Sequence, residues 1–324
     1  MKIKKFAPVL IPTLNRYEHL RMCLDSLAHN TRASKTILYI ALDSPATEEQ
    51  KVGYNRIVKY LGKISGFKKV IVIKRDKNFG ATRNTLETLG DLFKKYDEII
   101  LSEDDNLFSP NFLQYINKGL QIFKNRKDIF AICGYNYPID IPTNYPYNFF
   151  LFKGTPGWGM GLWKNKYNKI DLSVNSVKEF LKSYRNIFKV IRDANYLLPH
   201  LFDVVNKNRV AGDTIFSMNM VENNMFCVLP TISKVRNYGL DGTGLHCGVD
   251  KKNIFINQPI DGAKYFDFST PEDKVSENKE LTLLIEKKFK IPNVEVFKRG
   301  MLFLARNTNL HKYYKKLKKI FTSI

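Results

Sequence analysis

Three acidic side chains stand side by side near residue 100. Residues 97–106 read DEIILSEDDN, so that Glu103, Asp104 and Asp105 directly follow a short apolar run. Adjacent carboxylates repel one another unless a cation or water compensates their charge. A hard divalent ion such as Mg²⁺ or Mn²⁺ takes oxygen ligands and commonly shares them with substrate phosphates. The acids therefore indicate either a metal site for a phosphorylated ligand or a solvated acidic turn, and alone they leave both open.

The chain as a whole is strongly basic. Its 324 residues include 52 Lys and Arg against 31 Asp and Glu, a formal net charge of +21. This surplus indicates an anionic partner, which could be a nucleotide, nucleic acid, anionic lipid or acidic polysaccharide. The basic residues are spread along the sequence, and no zinc, RNP or helix-turn-helix pattern occurs, so that nucleic-acid binding is the less favoured interpretation.

Cysteine usage and apolar runs bear on the cellular compartment. The cysteines lie far apart, at spacings unlike those of a zinc site, at Cys23, Cys133, Cys227 and Cys247. They indicate reduced thiols, and no signal peptide precedes the first apolar run. The sequence contains no run of about 18 uncharged apolar residues, so that no transmembrane helix is predicted. We expect a cytoplasmic protein.

The elements that position the acids alternate over the first 135 residues. Short β-branched runs alternate with helical patterns, which predicts an α/β fold with a Rossmann-like, mostly parallel central sheet flanked by helices. Asn15, Asp43, Asn78 and the acids each follow a predicted strand, so we expect them to converge on one edge of the sheet, where such sheets bind ligands. The predicted strands are FAPVLI (6–11), TILYIAL (36–42), KVIVIK (69–74), DEIILS (97–102) and IFAIC (129–133).

The rest of the chain is less regular. Residues 135–150, rich in Pro, Tyr and Asn, predict a loop, and helical patterns occur near 176–192 and 214–222. The segment LHKYYKKLKKIFTSI (310–324) places apolar side chains at helical spacing opposite five lysines. Such a basic amphipathic helix predicts either contact with an anionic membrane, at the inner face of the plasma membrane, or packing on protein.

Several motifs follow one another in an order typical of one enzyme family. They are PTLNRYEHLRMCLDSL (12–27), the LD that ends at Asp43, NFGATRN (78–84), SEDDN (102–106), GWGMGLWKNKY (157–167), GDTIFSM (212–218) and NYGLDGTGLHC (237–247). On these segments the sequence resembles GT-A glycosyltransferases, most closely bacterial family-2-type enzymes and the related N-acetylglucosaminyltransferase I group. The resemblance spans about residues 6–247. It implies a GT-A domain at 1–265, with a nucleotide-binding half at 1–135 and an acceptor-binding half at 136–265, followed by a basic helical extension at 266–324.

The resemblance also implies the ligands. They are a nucleotide-sugar donor, by default a UDP-sugar, and a divalent ion, Mn²⁺ or Mg²⁺. Asp105 and His246 would contact the metal, and Arg83 would face the diphosphate. The donor-binding residues implied by the family pattern are Pro12, Thr13, Asn15, Arg16, Asp43, Asn78, Arg83, Glu103 and Asp104.

The reaction implied is transfer of a sugar to a hydroxyl of a glycan or lipid-linked glycan in bacterial surface polysaccharide synthesis. Asp213 matches the catalytic base, which would accept the proton of the attacking hydroxyl. A single displacement of this kind inverts the anomeric configuration. Gly157 and Trp158 would supply a flexible aromatic platform for the sugar ring.

Each of these residues also has a structural interpretation. Asp213 stands where a helix N-cap is expected, and Asp43 could cap a turn with Ser44 and Pro45. Arg83 and His246 could be solvated, and Trp158 could belong to the core.

Other functions compete with glycosyl transfer. They are nucleic-acid binding, a metal-dependent nuclease or nucleotidyltransferase, and a binding module without catalysis. A two-metal nuclease would need further acids grouped with the first set, and no Gly-rich nucleotidyltransferase loop follows FAPVLI.

Overall fold

The computed structural model of the chain describes residues 5–244, 249–269, 274–288 and 290–307. The chain divides into two compact units. Of the described residues, the first comprises 5–152, 156–169, 226–244, 249–269 and 274–278, and the second comprises 153–155, 170–225, 279–288 and 290–307. The division into halves at residue 135 and an extension from residue 266 stays a prediction.

The first unit contains all the strands found in the described residues. Their bounds are β1 (Val9–Thr13), β2 (Ile37–Leu42), β3 (Lys69–Lys74), β4 (Glu98–Leu101), β5 (Asn106–Phe108), β6 (Ile129–Cys133), β7 (Phe149–Phe152), β8 (Met160–Trp163), β9 (Phe226–Pro230) and β10 (Val235–Asn237).

Eight strands form one sheet in the order β3-β2-β1-β4-β8-β6-β9-β7, and β5 pairs antiparallel with β10. The pairs β3-β2, β2-β1, β1-β4 and β6-β9 are parallel, whereas β8 and β7 run antiparallel to their neighbours. Six of the eight strands therefore share one direction. This confirms the predicted α/β class with a mostly parallel sheet.

The helices of the first unit connect and cover these strands. They are α1 (Tyr17–Ala28), α2 (Glu48–Leu61), α3 (Ala81–Phe93), α4 (Phe112–Ile122) and the short α5 (Lys164–Tyr167). α3 contacts β1, β2 and β4, and α4 contacts β6 and β8. The apolar faces that periodicity predicts are buried, as Leu20, Cys23, Leu24 and Leu27 show for α1.

Two elements differ from the sequence-based expectation. The loop predicted over residues 135–150 is wrong at its end, because Phe149 and Phe150 begin β7 at the edge of the sheet, paired with Pro230 and Leu229. The helical pattern near 176–192 is divided between two helices, because Ser183 ends the first and its hydroxyl accepts a hydrogen bond from the amide of Asn186 to begin the next.

The second unit is helical in its described residues. Its helices are α6 (Val174–Lys182), α7 (Tyr184–Asp193), α8 (Leu198–Asn206), α9 (Gly212–Asn223), α10 (Lys279–Lys288) and α11 (Asn293–Asn307). Apolar side chains of α6 to α9, among them Val177, Val190, Leu201 and Ile215, form a separate core. No helix within the described ranges is both long and apolar enough to cross a membrane. The predicted helix at 310–324 lies outside the described residues.

Candidate active site

The first unit has a topological switch point between β1 and β4. The chain adds β2 and β3 on one side of β1 and then returns to add β4 on the other side. In open sheets of this kind, ligands bind in the crevice beyond the carboxyl ends of the strands on either side of such a point. The loop that carries Arg16 follows β1, and the three acids follow β4. The predicted convergence on one edge is therefore confirmed for these two loops.

A buried ion cluster occupies this position. Nη1 of Arg16 donates to Oδ2 of Asp105 at 2.8 Å and lies 3.8 Å from Oδ1 of Asp104. The Thr13 hydroxyl donates to Oδ2 of Asp104 at 2.6 Å. Asp105 is only 7% exposed, so that water does not solvate the acids freely. The positive charge beside these acids is the guanidinium of Arg16. The sequence predicts that Arg16 contacts the nucleotide-sugar donor.

The cluster is electrostatically unbalanced, with two carboxylates for one guanidinium. Burial and the neighbouring charge of Asp105 raise the pKa of Asp104 to about 6, against the effects of Thr13 and Arg16. Burial acts to lower the pKa of Arg16, but the charges of Asp104 and Asp105 outweigh it and the pKa is raised. Nε and Nη2 of Arg16 are buried and have no hydrogen-bond partner among the described residues. Such orphaned donors favour an anionic ligand.

The segment after β10 closes over the acids from one side. Nδ2 of Asn237 donates to Oδ1 of Asp105 at 2.8 Å, and the amide of Tyr238 donates to the backbone carbonyl of Asp105 at 2.9 Å. Gly239 approaches so closely that a Cβ there would lie 1.8 Å from Oδ2 of Asp105 and 3.1 Å from Nη2 of Arg16. Only a residue without a side chain fits this position while the carboxylate stays in place.

Asp43, directly after β2, connects the end of β1 with the start of α3. Its backbone amide donates to the carbonyl of Thr13 at 2.9 Å. Its carboxylate accepts bonds from the backbone amides of Ser44 and Phe79 at 2.9 Å and Gly80 at 2.8 Å. Asp43 therefore caps a turn, as the structural interpretation predicts. Its hydrogen bonds from Phe79 and Gly80 also connect the end of β2 to the start of α3. Its contact with a donor stays a prediction.

The remaining predicted donor residues lie around this edge. Nδ2 of Asn78 donates to the carbonyl of Ser44 at 2.6 Å. Pro12 is a half-buried residue of β1, and Asn15 lies in the following loop, where its carbonyl packs against Gly53. Glu103 is exposed.

Arg83 lies on the first turn of α3, where its contacts are with Glu87 and Phe79. It is about half exposed, donates to Oε1 of Glu87 at 2.6 Å and lies over the ring of Phe79 at 4.2 Å. Its predicted contact with a diphosphate stays a prediction.

The turn with Gly157 and Trp158 lies at the same sheet edge as the acids, because β8 runs antiparallel to β4 with Met160 opposite Leu101. Gly157 has a φ of 75°, a conformation that favours glycine. Trp158 is half-buried and packs edge-on against the rings of Tyr135 and Phe255. It is thus partly core, and its binding of a sugar stays a prediction.

Two further predicted residues are Asp213 and His246. Asp213 belongs to the second unit and stands at the second position of α9, so that Ala211, not Asp213, is the N-cap. Its Oδ1 accepts a hydrogen bond from the amide of Thr214 at 2.8 Å. His246 lies outside the described residues.

The donor set fits a hard divalent ion that is bound together with a phosphorylated ligand. Asp104 and Asp105 present oxygen atoms, and each oxygen of Asp105 accepts one hydrogen bond and retains a second lone pair. Among the described residues no three His, Cys, Asp or Glu side chains group as a metal site. Phosphate and water would therefore complete the coordination, as is usual for Mg²⁺. An ion bound at Oδ2 of Asp105 would lie close to Nη1 of Arg16, which donates to the same oxygen.

Three contributors to the site were not singled out from the sequence. Asn237 and Gly239 approach Asp105 directly, and His19 pairs with Asp241 at 3.0 Å on the same segment. The signal in the sequence is the Asn-x-Gly element at 237–239, which is part of one of the motifs that carry the family resemblance.

Comparisons with known proteins add a weak likeness in fold. No protein-family model and no curated protein matches the chain. The chain is similar to the mannosyltransferase PcManGT from Pyrobaculum calidifontis in complex with GDP-Man and Mn²⁺, at 10% identity and a TM-score of 0.36, over 67% of this chain and 68% of that one.

Two further solved structures are similar over shorter parts. For S. aureus TarS 1-349 the identity is 14% and the TM-score 0.33, over 52% of this chain and 50% of that one. For the WbbM bifunctional glycosyltransferase apo structure the identity is 11% and the TM-score 0.29, over 41% of this chain and 23% of that one. The matched parts thus make up half or less of those two chains. At such TM-scores the likenesses decide nothing about ligand or reaction.

Proposed function

We propose that the protein is a glycosyltransferase that uses a nucleotide-sugar donor and a divalent ion. The observation that carries this proposal is the buried cluster of Arg16, Asp104 and Asp105 at the switch point between β1 and β4. It combines oxygen ligands for a hard ion with orphaned guanidinium donors for an anion. A nucleoside diphosphate bound with a metal needs both chemistries, and the order of the sequence motifs supports a sugar as the transferred group.

The chain's own residues would divide the work as follows. Asp105, with Asp104 beside it, would hold the ion, which when bound offsets charge on the departing diphosphate. The buried hydrogen bonds from Thr13 and Asn237 keep both carboxylates in fixed orientations, so that little reorganisation is needed when the ion binds. Trp158 would cover one face of the sugar.

We propose Asp213 as the general base on the strength of its place in the GDTIFSM motif. It would accept the proton of the acceptor hydroxyl in a single displacement that inverts the anomeric carbon. The acceptor would be a glycan or lipid-linked glycan. Asp213→Asn should lower kcat by about 10²-fold or more while the donor Kd stays unchanged. A large rise in the donor Kd would instead give Asp213 a binding role.

The decisive experiment is calorimetric titration with UDP, GDP, dTDP and CMP and their sugars, each with and without Mn²⁺. We expect one nucleotide family to bind, with tighter binding in Mn²⁺, and slow hydrolysis of the matching sugar donor. Asp105→Asn is the matched control and should remove the effect of Mn²⁺. If no nucleotide or nucleotide-sugar binds under any condition, the proposed function is wrong.

A further inference from the structure

Arg16 is the positively charged group beside Asp105, so a divalent cation bound by Asp105 would lie next to its guanidinium. We propose that Arg16 is a displaceable counter-ion, so that its guanidinium and a divalent cation compete for Oδ2 of Asp105. The inference concerns the same site as the proposed function, but it states how this chain keeps the acid pair compensated before the ion arrives.

The first argument is the geometry of the ion pair. Only Nη1 of Arg16 contacts the acids, at 2.8 Å from Asp105 and 3.8 Å from Asp104. A guanidinium that serves as a permanent structural partner usually binds a carboxylate through two parallel hydrogen bonds. Here Nε and Nη2 are buried without a partner among the described residues. The pairing is therefore weaker than the bidentate one that an arginine can make, which favours its replacement by a divalent ion.

The second argument is the way in which the carboxylates are held. Oδ1 of Asp105 is fixed by Asn237, and Oδ2 of Asp104 is fixed by Thr13. Both of these partners are uncharged, so the acid pair keeps its position and its geometry when Arg16 leaves. The two oxygens that face Arg16 are Oδ2 of Asp105 and Oδ1 of Asp104. They are the oxygens left for an ion.

The third argument is the charge balance. Within the group of Arg16, Asp104 and Asp105 alone, one guanidinium against two carboxylates leaves a net charge of about −1 when both acids are ionised, and Asp241 adds a further negative charge that acts on Arg16. A divalent cation compensates both acids, whereas Arg16 compensates one. Because two cations close to one carboxylate oxygen repel each other, an ion at Oδ2 weakens the hydrogen bond from Arg16, and the ion and the guanidinium compete for this oxygen.

The test measures Mn²⁺ binding with no nucleotide present, from the electron paramagnetic resonance signal of free Mn²⁺. The proteins are the unmodified chain, Arg16→Met, Arg16→Lys and the control Arg21→Met, which changes an exposed arginine of the neighbouring helix α1. We expect Arg16→Met to bind Mn²⁺ at least tenfold more tightly than the unmodified chain. Arg16→Lys should lie between the two, and Arg21→Met should match the unmodified chain.

Equal or weaker Mn²⁺ binding by Arg16→Met would overturn the proposal, and so would absence of binding in both proteins. If Arg16→Met does not fold, a Mg²⁺ titration of the unmodified chain followed by nuclear magnetic resonance still tests the proposal. The ¹⁵Nε resonance of Arg16, assigned by its loss in Arg16→Lys, should shift as diamagnetic Mg²⁺ is added, and should not shift in Asp105→Asn. A resonance that stays fixed at saturating Mg²⁺ would also overturn the proposal.

These readouts use the ion alone, so that the two proposals can fail separately. If Arg16→Met gains Mn²⁺ affinity but no nucleotide binds, the proposed function is wrong while the competition stands. If nucleotide and metal bind but Arg16→Met shows no gain in Mn²⁺ affinity, the competition is wrong while the proposed function stands.

Discussion

Two buried ion clusters in the first unit differ in how completely their groups are satisfied. At the sheet edge, Arg16 faces two acids and keeps two nitrogen atoms without a hydrogen-bond partner among the residues that the structure describes. In the other cluster, Lys234 pairs with one acid, Asp261, whose carboxylate also accepts bonds from the Asn111 amide at 2.8 Å and the backbone amide of Ala263 at 2.9 Å. The Lys234 ammonium also lies 4.5 Å from the centre of the Phe266 ring.

The difference separates two uses of buried charge. The Lys234 cluster balances one charge against one, and its hydrogen bonds fasten residues 261–266 to the core. Burial lowers the pKa of Lys234, and Asp261 acts in the opposite direction. The Arg16 cluster lacks a second positive charge for its two acids. It also lacks, among the described residues, a hydrogen-bond acceptor for Nε and Nη2 of Arg16. Complete satisfaction is typical of a structural site, whereas a deficit of both kinds is what a metal with a phosphorylated ligand would fill.

Breaking the balanced cluster should give the largest effect, on stability. Asp261→Asn leaves the ammonium of Lys234, which is 2% exposed, without its counter-charge. We expect the free energy of unfolding to fall by about 3–5 kcal/mol, measured by urea denaturation. Asp91→Asn, which breaks the exposed pair with Lys94, should cost about 0.5 kcal/mol or less. Similar losses in the two variants would remove the distinction between the clusters.

Breaking the unbalanced cluster should impair function more than stability. Asp105→Asn removes one of two repelling charges but turns one acceptor oxygen into a donor that faces Asn237 or Arg16, so we expect the free energy of unfolding to fall by about 1–2 kcal/mol. Metal-dependent transfer, once the donor is identified, should fall by about 10²–10³-fold in kcat. Asp25→Asn, on the exposed side of α1, is the control for both measurements. Full activity of Asp105→Asn in Mn²⁺ would refute the metal assignment.

The closeness of Gly239 to the acids sharpens the comparison by geometry alone. Gly239→Ala places a Cβ 1.8 Å from Oδ2 of Asp105, so that the carboxylate must rotate away from Arg16 or Asn237. We expect Mn²⁺ affinity to change by about tenfold and stability to fall by about 1–2 kcal/mol. Gly90→Ala, in α3 with open space around it, should leave Mn²⁺ binding unchanged and stabilise the protein by about 0.5–1 kcal/mol. Indistinguishable Mn²⁺ binding by the two variants would contradict the close approach.

A third ion cluster, in the second unit, should give the smallest effect. Hydrogen bonds from Arg192 and Lys153, against burial, lower the pKa of Asp193 to about 2. Because this folded pKa lies below the unfolded value, the stabilisation is present above about pH 4 and is lost as pH falls through 2. Since Arg192 is largely exposed, we expect only about 1–2 kcal/mol. Asp193→Asn should lack this decline in acid urea titrations, and a decline equal to that of the unmodified chain would contradict it.

The sequence was sufficient for the parallel half of the sheet and insufficient for the other half. β-branched runs of the expected length predict β1 to β4 and β6. β8 is hidden in a Gly-rich stretch that suggests a flexible loop. Its glycines serve packing instead, since a Cβ on Gly161 would lie 2.6 Å from Ile116 of α4. Close helix–strand approach and loop flexibility both require glycine, and composition does not distinguish them.

The same limit applies to the site. The acids could be recognised because they are adjacent in sequence and follow a strand. Their compensation by Arg16 could not be predicted, because the pair is 89 residues apart and depends on how β1 and β4 align. For Asp43, both interpretations rested on its place after a strand, and only the structure shows its carboxylate bound to the amides of Phe79 and Gly80.

The hydrogen bond between Asn237 and Asp105 has a consequence for synthesis and folding. It joins residues 132 positions apart, whereas β1 to β4 and the Arg16–Asp105 pair use only the first 105 residues. At a translation rate of about 5–20 residues per second, the acid pair waits roughly 7–26 s for its amide partner to be made. During that interval, Arg16 is the one charged side chain within the described part of the chain that pairs with Asp105. The candidate site is thus completed late, and its metal affinity should be acquired after the sheet edge itself has formed.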